Sequence, residues 1–217
     1  EISTRDWSSD VCSSDLEMDG TPVYLKYWFF LLFLFLSLKM MFVIFVSVLV
    51  HEIAHAWVAK KLGYRVNKIF LDIFHGAAEI DLNYLSSYKD TIRIIAAGPL
   101  SNAAIVLIFS CLIFSGLVVS PALVSLSKLF IVVNLLISIF NMLPIYPLDG
   151  GRISKAILMR YLGPKGQFFS GILSMSFSVM LFTYSLINFD LLLIFFSLIF
   201  IFLSYHEIRG KDELNNI

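Results

Sequence analysis

Charged residues are scarce in this sequence, and their scarcity excludes a water-soluble domain. Only 15% of the 217 residues are Asp, Glu, Lys or Arg, whereas 59% are hydrophobic and 21 are Phe. The 16 Lys and Arg balance the 16 Asp and Glu, so the charge does not favour nucleic acid as a partner. Two cysteines, Cys12 and Cys111, are too few for a disulfide framework. This composition is typical of a polytopic membrane protein.

The start of the chain differs from the rest. Residues 6–16 look like an in-frame translation of a sequencing-library adapter, and their Ser/Asp-rich composition cannot build an apolar core. We therefore predict that residues 1–17 are an adapter-derived artefact and disordered, with a genuine disordered leader as the alternative. Residues 18–210 are predicted to form the membrane domain. Residues 211–217 are predicted to be a C-terminal tail, at which a longer protein could be truncated.

Six apolar segments predict membrane-spanning helices, since such a helix needs about 20 residues to cross a hydrocarbon core of about 30 Å. Between the second and third segments, residues 66–82 have no helical stripe and favour short strands. The predicted fold is an all-α polytopic membrane protein with six transmembrane helices and a short membrane-surface β segment between helices two and three. The predicted spans are residues 23–37, 40–61, 92–118, 122–145, 168–187 and 191–205.

Positive charge is distributed unevenly over the connections between these spans. One side of the predicted topology holds only Lys39 and Lys128. The other side holds Lys26, Lys60, Lys61, Arg65, Lys68, Lys89, Arg93, Arg152, Lys155, Arg160, Lys165, Arg209 and Lys211. Because cytoplasmic segments carry the excess of Lys and Arg, the pattern predicts a multi-pass protein of the cell membrane with both termini cytoplasmic.

One stretch places three ionisable side chains inside an apolar segment. His51 and His55 are one helical turn apart on the same face, so both imidazoles can bind one metal ion. Glu52 lies beside them, where a carboxylate can act as a base. In the charge-derived topology these residues lie towards the cytoplasmic end of the second span.

A second polar stretch interrupts the end of the fourth predicted span. Residues 141–152 contain two prolines and two glycines, and irregular backbone at membrane depth survives only where it is buried in protein or lines a wet cavity. Asp149 in this stretch is costly as an ion unless it is paired, and a metal ion is a suitable partner. A loop aspartate that caps a helix is the competing interpretation.

Two imidazoles and one carboxylate match zinc, and they leave a fourth position for water, which is typical of a catalytic site. The chain is therefore predicted to hold one Zn²⁺ between His51, His55 and Asp149. Glu52 is placed to take a proton from the water and to pass it to a leaving amine. Asn141, eight residues before Asp149, could donate a hydrogen bond to the developing oxyanion.

Residues 51–55, 97–99 and 141–151 resemble the three signatures of the site-2 protease family of intramembrane zinc metalloproteases. The chain is most similar to the compact bacterial branch that contains stage IV sporulation protein FB. The resemblance implies zinc on His51, His55 and Asp149, with Glu52 as the catalytic residue. It also implies cleavage, within or beside the bilayer, of a membrane-embedded or membrane-tethered protein, such as a sigma-factor precursor or an anti-sigma factor, under the control of regulatory membrane proteins.

The sequence departs from the family pattern, because no PDZ-like insert is present and the C-terminal CBS domain of the sporulation branch is either absent or truncated away. Regulation and substrate identity are therefore open. The alternative function is a metal transporter or a non-catalytic membrane homologue that binds metal. The two hypotheses differ at Glu52, since a transport site needs no base beside its first ligand.

Overall fold

A computed structural model describes residues 11–12, 17–18, 21–26, 37–71, 77–80, 87–117 and 119–214. The chain forms two compact units. Unit 1 comprises residues 1–85 and 100–136, and unit 2 comprises residues 86–99 and 137–217.

Six α-helices occur in the described part of the chain, and five of them are long and apolar enough to cross a membrane. The exception is α4, which is shorter and carries more charge. The second to sixth predicted spans are thereby confirmed as membrane-length helices, and the protein is a multi-pass membrane protein. The helices are α1 (Leu38–Lys61), α2 (Tyr88–Phe114), α3 (Pro121–Asn141), α4 (Asp149–Leu162), α5 (Lys165–Ile187) and α6 (Leu191–Leu214).

The first predicted span, residues 23–37, falls mostly on residues 27–36, which lie outside the described part. Its opening residues were predicted wrongly, because Thr21–Lys26 form a strand. Their backbone pairs in parallel with a later strand, from Val23 opposite Ile69 to Leu25 opposite Leu71. An apolar run of this length fits a strand as well as the start of a helix, and the pairing decides between them.

The described strands are β1 (Val11–Cys12), β2 (Glu17–Met18), β3 (Thr21–Lys26), β4 (Val66–Leu71) and β5 (Ala77–Ile80). The sheet order is β1-β3-β4-β5, and β2 also pairs with β3. Strands β4 and β5 are antiparallel, lie within the predicted β segment and contact α1. Strands β1 and β2 pair antiparallel with β3. The interpretation of residues 1–17 as a disordered, adapter-derived artefact stays a prediction.

Local signals define both ends of α1. Ser37 caps the N-terminus, where its hydroxyl accepts a hydrogen bond from the backbone N–H of Met40 at 3.3 Å. At the other end Lys60 and Lys61 face the negative end of the helix dipole. Gly63 follows with φ +87°, a conformation that ends the helix and suits glycine. The predicted metal-binding motif, residues 51–55, therefore lies in the last three turns of a helix with a defined start and end.

Polar contacts inside unit 1 join α1 to α3. Asn134 is fully buried, and its Nδ2 donates to Ser47 Oγ at 2.8 Å and to the Phe130 carbonyl oxygen at 2.9 Å. Nearby, the rings of Phe109 and Phe130 stack with their centroids 4.6 Å apart. Between membrane helices, where lipid is as apolar as the side chains, such hydrogen bonds and close packing are what hold neighbours together.

Small polar side chains hold α5 against α6 in unit 2. Ser174 Oγ lies 2.6 Å from Ser204 Oγ, and it accepts a hydrogen bond from the backbone N–H of Tyr146 at 2.7 Å. In the same unit, Lys155 of α4 forms an ion pair with Glu207 of α6 at 2.5 Å. Buried serines on these two helices are Ser170, Ser174, Ser178, Ser185, Ser197 and Ser204. They allow the close backbone approach that bulky residues would prevent.

Helix α4 was not predicted from the sequence, because its first turn contains Gly150 and Gly151, which are poor helix formers. Both glycines are needed for packing. An added Cβ at Gly150 would collide with the carbonyl oxygen of Met142, and one at Gly151 would lie 2.5 Å from the carbonyl oxygen of Ile145. The chain that leaves α3 therefore folds directly over the start of α4, and this contact positions Asp149.

Replacing Gly150 with Ala is expected to destabilise the protein by about 1–3 kcal/mol, the usual cost of overpacking, because the clash is with backbone that cannot rotate away. Thermal unfolding of the purified protein in detergent measures the effect. Ser154→Ala is the control, since it removes only a hydrogen bond from Ser154 Oγ to the Gly150 carbonyl oxygen within the same helix. An equal unfolding temperature for both variants would contradict this account of the packing.

Candidate metal centre

The motif residues of α1 form a compact cluster of potential metal ligands. His51, Glu52 and His55 are all buried, with 4%, 5% and 8% of their surfaces exposed. One ligand atom from each lies within 4.8 Å of the other two. The two imidazole rings meet edge to face, with their centroids 4.7 Å apart and their planes at 86°. The predicted one-turn spacing has therefore brought both rings to one place.

The cluster fits a zinc ion in its chemistry and its size. Two donors that share one zinc at about 2.0–2.2 Å are at most about 4.4 Å apart, and the distances here require only small side-chain movements. A carboxylate so deeply buried is costly as an ion, and a dication beside it offsets that cost. The two imidazoles of the cluster are donors that suit zinc better than magnesium or calcium.

An asparagine on α2 contacts the cluster. Asn102 is fully buried, and its Oδ1 lies 3.2 Å from Nδ1 of His51. Asn102 was not among the predicted site residues. The signal in the sequence is an amide side chain within an apolar span, but nothing in the sequence pairs it with a histidine 51 residues earlier.

The other two predicted site residues belong to unit 2. Asp149 is the first residue of α4 and is 7% exposed. Asn141 is the last residue of α3, where its Nδ2 donates to the carbonyl oxygen of Ile137 at 3.1 Å within the same helix. The structure thus brings three of the five predicted residues together in unit 1. The assignments of Asp149 as a ligand and of Asn141 as an oxyanion donor stay predictions.

Comparison with known protein families shows to which family this chain belongs. The model of peptidase family M50 matches residues 39–122 and 113–185, which together make up more than half of the chain. The chain belongs to peptidase family M50. The matched region of this family runs from the start of α1 to the end of α5 and contains all five predicted site residues. The resemblance to site-2 proteases is confirmed.

Relatives within the M50 family are similar over the same region. A zinc metalloprotease of Methanocaldococcus jannaschii is 38% identical over 123 residues, which are 55% of this chain and 34% of the relative. Stage IV sporulation protein FB of Bacillus subtilis is 32% identical over 125 residues, which are 58% of this chain and 42% of the relative. The chain therefore matches only about a third to two fifths of the length of these relatives.

A solved structure has the same fold. The site-2 protease from Methanocaldococcus jannaschii superposes with a TM-score of 0.66 and 29% sequence identity, over 89% of this chain and 94% of that one. The fold of an M50 membrane peptidase is therefore present across nearly the whole chain.

Proposed function

We propose that this chain is an intramembrane zinc metalloprotease, which hydrolyses a peptide bond within or beside the bilayer. The observation that carries the proposal is the buried cluster of His51, Glu52 and His55 within a helix of membrane-spanning length. Family membership supports it, as do relatives that bear the name zinc metalloprotease. Ionisable residues at membrane depth are expensive, so such a cluster is a functional site by default.

In the proposed site His51, His55 and Asp149 hold the zinc ion. When bound, zinc acidifies a water molecule and polarises the carbonyl group of the substrate. Glu52 takes the proton of the attacking water and delivers it to the leaving amine, as a general base and then a general acid. Its position in one buried cluster with His51 and His55 supports this role. The Asn141 amide donates a hydrogen bond to the oxyanion that develops on the substrate.

The proposed substrate is a membrane-embedded or membrane-tethered protein, because a site on a membrane-length helix is reached from within the bilayer or from its surface. A peptide bond in a substrate helix is hydrogen-bonded and shielded, so the substrate has to unwind locally before attack. Regulatory substrates such as a sigma-factor precursor or an anti-sigma factor fit the relationship to a sporulation protein. Regulatory membrane proteins are proposed as further partners.

The proposed orientation places both termini and the metal cluster on the cytoplasmic side. Cations follow α1, precede the apolar part of α2 and crowd α4, whereas residues 115–120 between α2 and α3 carry no charge. The turn from α5 to α6 contains Asp190 and no cation. Since Lys and Arg mark the cytoplasmic side, this alternation supports the orientation.

Removing the metal from the purified protein is expected to reduce cleavage to background, and added Zn²⁺ is expected to restore it while Mg²⁺ is not, because the ligands are nitrogen-rich. The experiment reconstitutes the chain in vesicles with candidate membrane-tethered substrates, and measures cleavage on gels and zinc per chain by elemental analysis. Cleavage that persists in metal-free protein would refute the proposal. Zinc uptake into vesicles without cleavage would identify a metal transporter instead.

A further inference from the structure

The contact between Asn102 and His51 selects between the two tautomers of a candidate metal ligand. Two donors converge on Asn102 Oδ1: the ring nitrogen Nδ1 of His51 at 3.2 Å and the hydroxyl of Ser101 at 3.3 Å. A carbonyl oxygen can only accept, so this contact is a hydrogen bond in the tautomer that carries the proton on Nδ1 of His51. The lone pair of the ring is then on Nε2, and in this tautomer the imidazole binds a metal ion through Nε2.

The burial of Asn102 makes its amide side chain costly to keep at this position. Asn102 has no exposed surface, and within the described residues its Nδ2 has no hydrogen-bond acceptor. A leucine would fill the same volume between apolar helices without leaving a polar atom unsatisfied. The cost of keeping an amide here implies that its oxygen has a task beyond packing.

Asn134 provides an internal comparison. It too lies in unit 1 with no exposed surface, and its Oδ1 has no donor within the described residues. Its amide nitrogen, however, bonds Ser47 and the Phe130 carbonyl oxygen and reaches no histidine. The two asparagines are therefore matched in burial and in polarity, and they differ in whether they hold a candidate metal ligand.

We propose that Asn102 is a positioning residue, which holds His51 in the tautomer and ring orientation that bind zinc through Nε2. The inference rests on the proposed function of His51 as a zinc ligand. Partners that accept a hydrogen bond from the distal N–H of a metal-binding histidine orient the ring and raise its basicity, and their loss costs about 10- to 100-fold in metal affinity.

The test measures the zinc affinity of the purified chain in detergent by competition with a chromogenic chelator. Asn102→Leu is expected to lower the affinity about 10- to 100-fold. Asn134→Leu is expected to change it less than about threefold while perturbing helix packing to a similar degree. Asn102→Asp keeps the accepting oxygen, so it is expected to bind zinc at least as tightly as the wild type. Thermal unfolding and gel filtration report on the fold of each variant.

Equal affinities for the wild type and Asn102→Leu would overturn the proposal, as would equal losses in Asn102→Leu and Asn134→Leu. An Asn102→Asp variant as weak as Asn102→Leu would also overturn it, since the acceptor would then be irrelevant. If Asn102→Leu does not fold, Asn102→Ala replaces it, because the smaller alanine cannot clash with its neighbours. Its zinc affinity is then compared with that of the wild type in the same way. A wild-type chain that binds no zinc contradicts the proposed function itself, whereas an unchanged variant beside a zinc-binding wild type contradicts only the role of Asn102.

Discussion

Glu52→Gln is expected to abolish peptide-bond cleavage while one zinc ion per chain stays bound. Glutamine has nearly the same shape as glutamate and keeps the buried site filled, but its amide cannot accept the proton of the attacking water. General acid–base groups contribute about 10²- to 10⁴-fold to a rate, so cleavage should fall by at least about a hundredfold. Cleavage of a membrane-tethered substrate and zinc content are measured on the same preparations.

Glu207→Gln is the matched control for this variant. Glu207 is also a largely buried glutamate, but it lies in unit 2 and pairs with Lys155 instead of belonging to the metal cluster. The control should retain cleavage even if the loss of the ion pair lowers its stability. A Glu52→Gln protein that keeps its zinc and cleaves as well as the wild type would show that Glu52 is not the base.

Asp149→Ala is expected to remove zinc from the protein and cleavage with it. Loss of a direct ligand should exceed the 10- to 100-fold cost of losing a residue that only supports a ligand, so the affinity is expected to fall by more than about a hundredfold. Zinc titration of the purified variant measures the fall. The result bears directly on whether this residue of unit 2 completes the site of unit 1.

The competing role for Asp149 is that of an acidic residue in the first turn of a helix, where it interacts with the helix dipole. Asp190→Ala controls for it, because Asp190 immediately precedes α6 and its Oδ1 accepts a hydrogen bond from the backbone N–H of Leu193 at 3.1 Å. If both variants keep zinc and lose similar stability, Asp149 only supports its helix, and the third ligand has to be sought elsewhere.

The membrane helices and the histidine pair could be predicted because both depend on short stretches of sequence. An apolar run of about 20 residues has few stable alternatives to a spanning helix. The spacing of His51 and His55 places them together on any helix, without reference to the rest of the fold. These features are local, and the structure reproduces them with helix ends displaced by a few residues.

The features that escaped prediction depend on contacts between distant parts of the chain. The glycines at the start of α4 read as helix breakers, and only the close approach of Met142 explains why they begin a helix. The strand at residues 21–26 requires its partner β4, more than 40 residues away. Likewise, the pairing of Asn102 with His51 depends on how α1 packs against α2, which the pattern of neither helix specifies.

The two asparagine contacts of α1 also affect where this helix lies along its own axis relative to α2 and α3. Ser47 and His51 occupy successive turns of one face, opposite Asn134 and Asn102 respectively. Sliding α1 by one turn, about 5.4 Å, in one direction would place Val43 against Asn134, and the hydrogen bond from the Asn134 amide to Ser47 would be lost in an apolar setting. The two pairs together therefore favour one position of α1 along its axis relative to its neighbours, and this preference does not depend on a bound metal ion.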